Sequence, residues 1–132
     1  MLFNVNCSYG EIIDKLTILE IKLSKCLDKE KKRNIQNEYN HLCQHKKDEN
    51  YFIELYTKLK YINMKLWECE DTIRLKSKNK EYDEEYILIA ENIHKYNDKR
   101  YEIKSDINKK YNSFIIEEKF YNINNIKSTD TI

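Results

Sequence analysis

A chain of 132 residues with one glycine and no proline has few ways to turn tightly. Glycine supplies the positive-φ conformations of two-residue hairpin loops, and proline presets many others. Without them a hairpin-rich β-fold is nearly excluded, and so are glycine-rich phosphate loops. Such a chain can readily make long helices joined by a few polar turns. Hydrophobic residues are 40% and charged residues 36%, which allows one core with a wet surface and no second domain.

Lys+Arg is 24 and Asp+Glu is 23. That balance argues against a general nucleic-acid binder, which carries a basic excess. No charge-free run approaches the ~20 apolar residues of a membrane span. No charged-then-apolar-then-small pattern opens the chain as an export signal would. The expected setting is therefore cytoplasmic, in a host cell if the source is viral. Cys7, Cys26, Cys43 and Cys69 form no CxxC, and in a reducing compartment they are expected as free thiols packed as small hydrophobes. The lean towards Lys, Asn, Ile and Tyr resembles coding by an AT-rich genome.

Apolar spacing sets the elements. Phe3, Val5 and Cys7 alternate with Asn4 and Asn6 as a short extended lead-in. Ser8 and Glu11 have the spacing of a capping box. A first helix follows to about Leu27, with the stripe Ile12, Leu16, Leu19, Leu23 and Cys26. Asp28 caps a second, over about 29–46, turning Ile35, Tyr39, Leu42 and Cys43 inward, although its basic first turn opposes the helix dipole. Asp48-Glu49-Asn50 breaks the pattern. Phe52, Leu55, Leu59, Ile62, Leu66, Cys69 and Ile73 then make a seam like that of a coiled coil. After a turn at Lys76–Lys80, a fourth helix carries Tyr86, Ile89, Ile93, Tyr96, Arg100, Ile103 and Ile107 to about Asn112. At ~1.5 Å per residue it spans ~45 Å. Phe114–Phe120 is apolar enough to pack as an extended arm beside residues 2–7. The predicted fold is all-α: an antiparallel up-and-down bundle with a long helical hairpin and short extended N- and C-terminal arms. One domain covers 1–121, and 122–132 is expected to be a disordered tail.

The residues that break these stripes carry the functional argument. Arg100 sits in the seam, where a buried guanidinium requires a carboxylate. With the first and fourth helices antiparallel, a polar layer of Glu20, Arg100 and Lys104 is expected, with Asp14 and Asn108 below it. Glu70, Asp71 and Arg74 form a second group. Two readings stand: ion pairs that fix helix register, or a small polar pocket between helices, where bundles build sites.

Other features have plain alternatives. His41 and His45 have a metal-clamping spacing, but no Glu follows His41 and a solvated face accounts for them. Lys25, Lys29, Lys31, Lys32 and Arg33, with Lys76, Lys78 and Lys80, would give one basic pole able to meet phosphates, or simply solvated turns. Eleven tyrosines could stack on sugars or bases, yet most fall at packing positions. Glu68, Glu70 and Asp71 could hold magnesium as in a helical nucleotide pyrophosphatase, but carboxylates at such spacings arise by chance at this charge density.

Gly10-Glu11-Ile12-Ile13-Asp14-Lys15-Leu16-Thr17-Ile18-Leu19-Glu20-Ile21-Lys22 resembles the opening signature of a family of small bacterial and viral proteins, the domain of unknown function 6165. Leu66-Trp67-Glu68-Cys69-Glu70-Asp71-Thr72-Ile73-Arg74 is similar to a second segment of that family. Asn97-Asp98-Lys99-Arg100 with Lys104, Ile107 and Asn108 is similar to a third, and Ser113 with Glu117-Glu118-Lys119 and Tyr121 to a fourth. Cys69 departs from an expected aliphatic residue and Phe120 from a serine. The resemblance adds Asn97 and Asp98 to the candidate polar site, and implies a role for Gly10 in a close approach. It implies no activity, only an association with glycosyltransferases and surface-polysaccharide assembly.

The expectation is a helical accessory or binding protein, self-associating or meeting a protein partner. The alternative is a small enzyme or ligand-binding protein for a phosphorylated or nucleotide-linked sugar. There Arg100, Lys104 and Arg74 would bind phosphate, and Glu20, Asp14 or Glu70 would serve as acid, base or metal ligand. No cofactor and no metal site is assigned.

Overall fold

The computed structural model describes residues 1–46 and 53–121. Phe52, the break at 48–50 and the tail from 122 lie outside the described residues. The described chain is all-α, with four helices: α1 (Tyr9–Lys25), α2 (Lys29–Cys43), α3 (Ile53–Lys78) and α4 (Glu84–Lys110).

The helix starts follow from side-chain acceptors that satisfy otherwise orphaned backbone donors. Ser8 Oγ accepts from Glu11 N at 3.2 Å, Asp28 Oδ1 from Lys31 N at 2.9 Å, and Asp83 Oδ1 from Tyr86 N at 2.9 Å. The expected capping box is half made, because the Glu11 carboxylate turns to Lys104. The ends of α3 and α4 are closed by left-handed residues that are not glycine. Lys80 (φ 57°) and Asn112 (φ 51°) take that conformation. Around them Glu81 N donates to Lys76 O at 2.8 Å and Ser113 N to Asn108 O at 2.8 Å, the bonds of a Schellman end.

α1 packs against each of the other three helices, α3 lies along α4, and among the described residues α2 rests on α1 alone. The α3–α4 pair is an antiparallel hairpin. Lys76 meets Asp83 across its tip at 3.0 Å, and Lys110 is near enough to Glu54 at the far end to lower its pKa alongside Lys58. α1 runs antiparallel to α4: the Tyr9 ring packs on Tyr111 at 4.7 Å, and Asp14 meets Arg100. The core is Ile13, Leu16, Tyr56, Leu59 and Ile107, with Tyr39 and Leu42 of α2 packed against it.

A central α1 changes its buried set. Ile13 and Ile21 are sealed beside Leu16 and Leu19, whereas the expected stripe members Ile12, Leu23 and Cys26 are only half-buried. Three neighbours bury more than one face, and a single stripe describes only one. The arms also differ from expectation. Phe114, Ile116 and Phe120 are exposed rather than packed, as are Leu2, Phe3 and Val5. The bundle end is already closed by Tyr9 on Tyr111, and the C-terminal arm is fixed by polar contacts. Ser113 Oγ accepts from Tyr9 N at 3.2 Å and donates to Ile115 O at 2.8 Å. All four cysteines are unpaired, with Cys7 exposed and the others half-buried.

Candidate functional site

Gly10 brings α1 and α4 together. Its N–H donates to Asn108 Oδ1 at 2.6 Å. A Cβ on Gly10 would lie 2.6 Å from the Lys104 carbonyl oxygen and 2.9 Å from Asn108 Oδ1. That close approach places Asp14, one turn along α1, under Arg100 of α4.

Asp14 is fully buried and has a complete set of donors. Arg100 donates from Nε to Oδ1 at 2.9 Å and from Nη2 to Oδ2. Asn63 of α3 donates from Nδ2 to Oδ1 at 2.9 Å and to Thr17 Oγ1 at 2.8 Å. Thr17 donates its own proton to the Asp14 carbonyl at 2.8 Å, so both neighbours of the Asn63 amide are acceptors and its orientation is fixed. Lys104 Nζ stands 4.0 Å from Asp14 Oδ2. A carboxylate this deep would otherwise cost several kcal/mol of lost solvation. The Asp14 hydrogen bonds raise the Arg100 pKa against the opposing effect of burial, helped by Glu11 and Glu117 nearby.

Lys104 is also buried, and two carboxylates engage its ammonium: it donates to Glu11 Oε2 at 2.7 Å and to Glu117 Oε1 at 3.5 Å. Glu117 belongs to the C-terminal arm, so the arm is clipped to the polar seam. Arg100 keeps an open edge. Its Nη1 has no partner among the described residues, its side chain is 31% exposed, and it lines two clefts. One cleft, of about 660 Å³, is walled by Glu11, Asn97, Asp98, Lys104 and the arm residues Glu117 and Lys119. The other, of about 390 Å³, is walled by Ile18, Asn63, Trp67, Glu70, Asp71 and Arg74. Both volumes are in the usual range for small-molecule sites.

The structure thus brings Asp14, Arg100, Lys104 and Asn108 into one seam, with Asn97 and Asp98 on the wall of one cleft and Glu70, Asp71 and Arg74 on the wall of the other. It does not bring in Glu20. That carboxylate lies on another side of α1, where Tyr39 donates to it at 3.4 Å and Lys60 pairs with it at 3.3 Å. Burial first, then Glu20 and Cys43, push the Tyr39 pKa up to about 12. The Arg100 partner is Asp14, because the α1–α4 register sits more than a turn from the expected one.

Several groups singled out by spacing are engaged by neighbouring side chains or backbone. Glu70 accepts from Arg74 Nε at 3.2 Å, and Glu68 pairs with Lys65 at 3.6 Å. Lys76, expected in a basic pole, is buried among Glu81, Asp83 and Glu85 at 3.6, 3.0 and 3.3 Å. His41 Nδ1 lies 3.0 Å from Asn37 O. Among the described residues no three His, Cys, Asp or Glu side chains group as ligands for a metal. No described helix is long and apolar enough to cross a membrane. Four residues of the seam escaped the sequence reading of the site: Glu11, Thr17, Asn63 and Glu117. Asn63 gave a signal, as a polar residue beside the α3 seam, and Glu11 was hidden behind its role as a cap.

A family model, described as a family of unknown function (DUF6165), matches residues 3–131. No curated protein and no solved structure matches the chain.

Proposed function

The chain belongs to that family of unknown function, from which no activity carries over, and we propose from the geometry that it is a binding protein in which Arg100 takes the anionic group of a small phosphorylated ligand. The half-engaged guanidinium carries this reading. Asp14 fixes one edge of Arg100 from below, and the Nη1 edge stays open at the border of two clefts. A planar guanidinium held in one orientation is suited to paired hydrogen bonds with phosphate or carboxylate. A register-fixing ion pair needs the Asp14 edge only. In the larger cleft a bound phosphate competes with Glu117 for Lys104, so binding and the position of the C-terminal arm are linked. A phosphorylated or nucleotide-linked sugar fits the cleft volumes and agrees with the tie to polysaccharide assembly that the sequence resemblance implies. The natural setting is then accessory to glycan-assembly enzymes.

The test is a thermal-shift and calorimetric screen with inorganic phosphate, a hexose 1-phosphate and a uridine diphosphate hexose. The control is Asp14→Asn with Arg100→Gln, which removes both charges yet keeps a pair of hydrogen-bonding side chains. A probe at ~100 times its dissociation constant should add about 2.7 kcal/mol of stability. That shift should vanish in the double variant. An equal shift in the variant, or no shift with any probe, overturns the reading.

A second reading concerns protein partners. Among the described residues from 67 to 103, Lys76 is the one buried side chain, and Leu75, Ile87 and Leu88 are exposed. The outer half of the hairpin is therefore open to a further helix or to a second copy. Sedimentation velocity across a concentration series tests self-association there. Leu88→Lys should shift any dimer towards monomer, and a strictly monomeric chain would leave only a different partner.

A further inference from the structure

We infer that the smaller cleft is a ring-binding subsite of the same ligand, with the indole of Trp67 as its stacking face. The inference rests on the Arg100 reading, since Arg100 borders both clefts. The two clefts differ in chemistry. Ile18, Leu66 and Trp67 give the smaller one an apolar wall, and Glu70 and Asp71 add carboxylates beside it. Acidic side chains repel a phosphate but accept hydrogen bonds from hydroxyl or amino groups. An apolar face suits the flat side of a ring.

Asn63 points the same way. It is only 4% exposed, and both of its amide protons are engaged by Asp14 and Thr17. Its Oδ1 is left as an acceptor at the cleft wall with no partner among the described residues. With its N–H side committed, that oxygen is held in one direction at the cleft wall, where a ligand hydroxyl or N–H can donate to it. The cleft thus offers a stacking face, three acceptors and the open edge of Arg100. Its complement is a ring with one apolar face, hydrogen-bond donors at its edge and a phosphate attached. Sugar rings and nucleobases both meet that description.

The test uses the one tryptophan in the chain, excited at the red edge where its eleven tyrosines do not absorb, so the emission reports this cleft alone. The probes are inorganic phosphate, a hexose 1-phosphate and uridine monophosphate. At least one ring-bearing phosphate should change Trp67 emission saturably. Inorganic phosphate should leave the emission unchanged and compete with that probe. In calorimetry Trp67→Leu should weaken the ring-bearing probe at least fivefold, the lower end of what stacking on an aromatic side chain contributes, and leave inorganic phosphate affinity intact. Asp71→Ala, at an exposed position, gives the same comparison with little risk to folding. A response to the hexose phosphate alone identifies a sugar subsite, and a response to the nucleotide alone a base subsite. Ring-bearing probes that bind no tighter than inorganic phosphate, with silent emission, overturn the subsite and leave the Arg100 reading standing. Failure of every probe to bind overturns both.

Discussion

Gly10 has less than one methyl group of free space. The Cβ of an alanine there would meet the Lys104 carbonyl at 2.6 Å, and a backbone atom cannot rotate away. Gly10→Ala improves intrinsic helix propensity by ~1 kcal/mol. It also wedges α1 off α4 and strains the 2.6 Å bond from Gly10 N to Asn108. Overpacking of this kind costs ~1–3 kcal/mol, so the expected result in urea denaturation is a net loss of stability. A more stable alanine variant would mean that α1 and α4 are not held at this separation. The same glycine explains what the sequence shows of the site and what it hides. A charge in an apolar seam demands a carboxylate, so Arg100 is legible as a paired residue. Choosing Asp14 over Glu20 requires the α1–α4 register, and Gly10 sets that register through a contact made only in three dimensions. Glu11 was hidden because a cap already accounts for a glutamate at that spacing.

At the scale of elements, polar caps and apolar spacing announce four helices, and the structure has four among the described residues. Helix ends were harder to place, because the left-handed residues that close α3 and α4 are Lys80 and Asn112. α2 is the element with the weakest hold. None of its residues is buried, and its side chains reach the core only through half-buried Tyr39, Leu42 and Cys43. Tyr39 couples that hold to pH. Its pKa is pushed up to about 12, by burial first and by Glu20 and Cys43 next. A folded pKa above the unfolded value of ~10 favours the folded state while the phenol is protonated. That contribution is complete below pH ~10 and is lost as pH rises towards 12. Lysines titrate in the same window, so the informative quantity is a difference. Between pH 10 and 12 the parent chain should lose stability relative to Tyr39→Phe, measured by denaturant unfolding at each pH. A difference that stays constant across the window would place the Tyr39 hydroxyl in ordinary contact with solvent.

For the whole molecule, the hairpin is longer than the helices that cover it. α1 seals the half of α3 and α4 that carries Tyr56, Leu59 and Ile107, and the deep core lies there. From residue 69 to 96 the two helices pack chiefly on each other, through half-buried Cys69, Ile73, Ile89, Ile93 and Tyr96. Their tip is pinned by Lys76 among three carboxylates. The seam periodicity is unbroken along α3, so the sequence announces a long helix without saying how much of it is covered. The arms stay exposed for a related reason: Phe114 and Phe120 are apolar enough to pack, but local composition does not carry the fact that Tyr9 already packs on Tyr111 where α1 meets the end of α4. Helices with little tertiary burial open at low free energy. Native-state hydrogen exchange should therefore divide the molecule. Amides of Ile13–Leu19 should exchange only through global unfolding, and those of about 70–95 through a local opening at least tenfold more frequent. Exchange at 70–95 that slows as protein concentration rises would show a second copy covering the outer hairpin. Uniform protection in dilute solution would show that two helices and the Lys76 pin suffice to hold it.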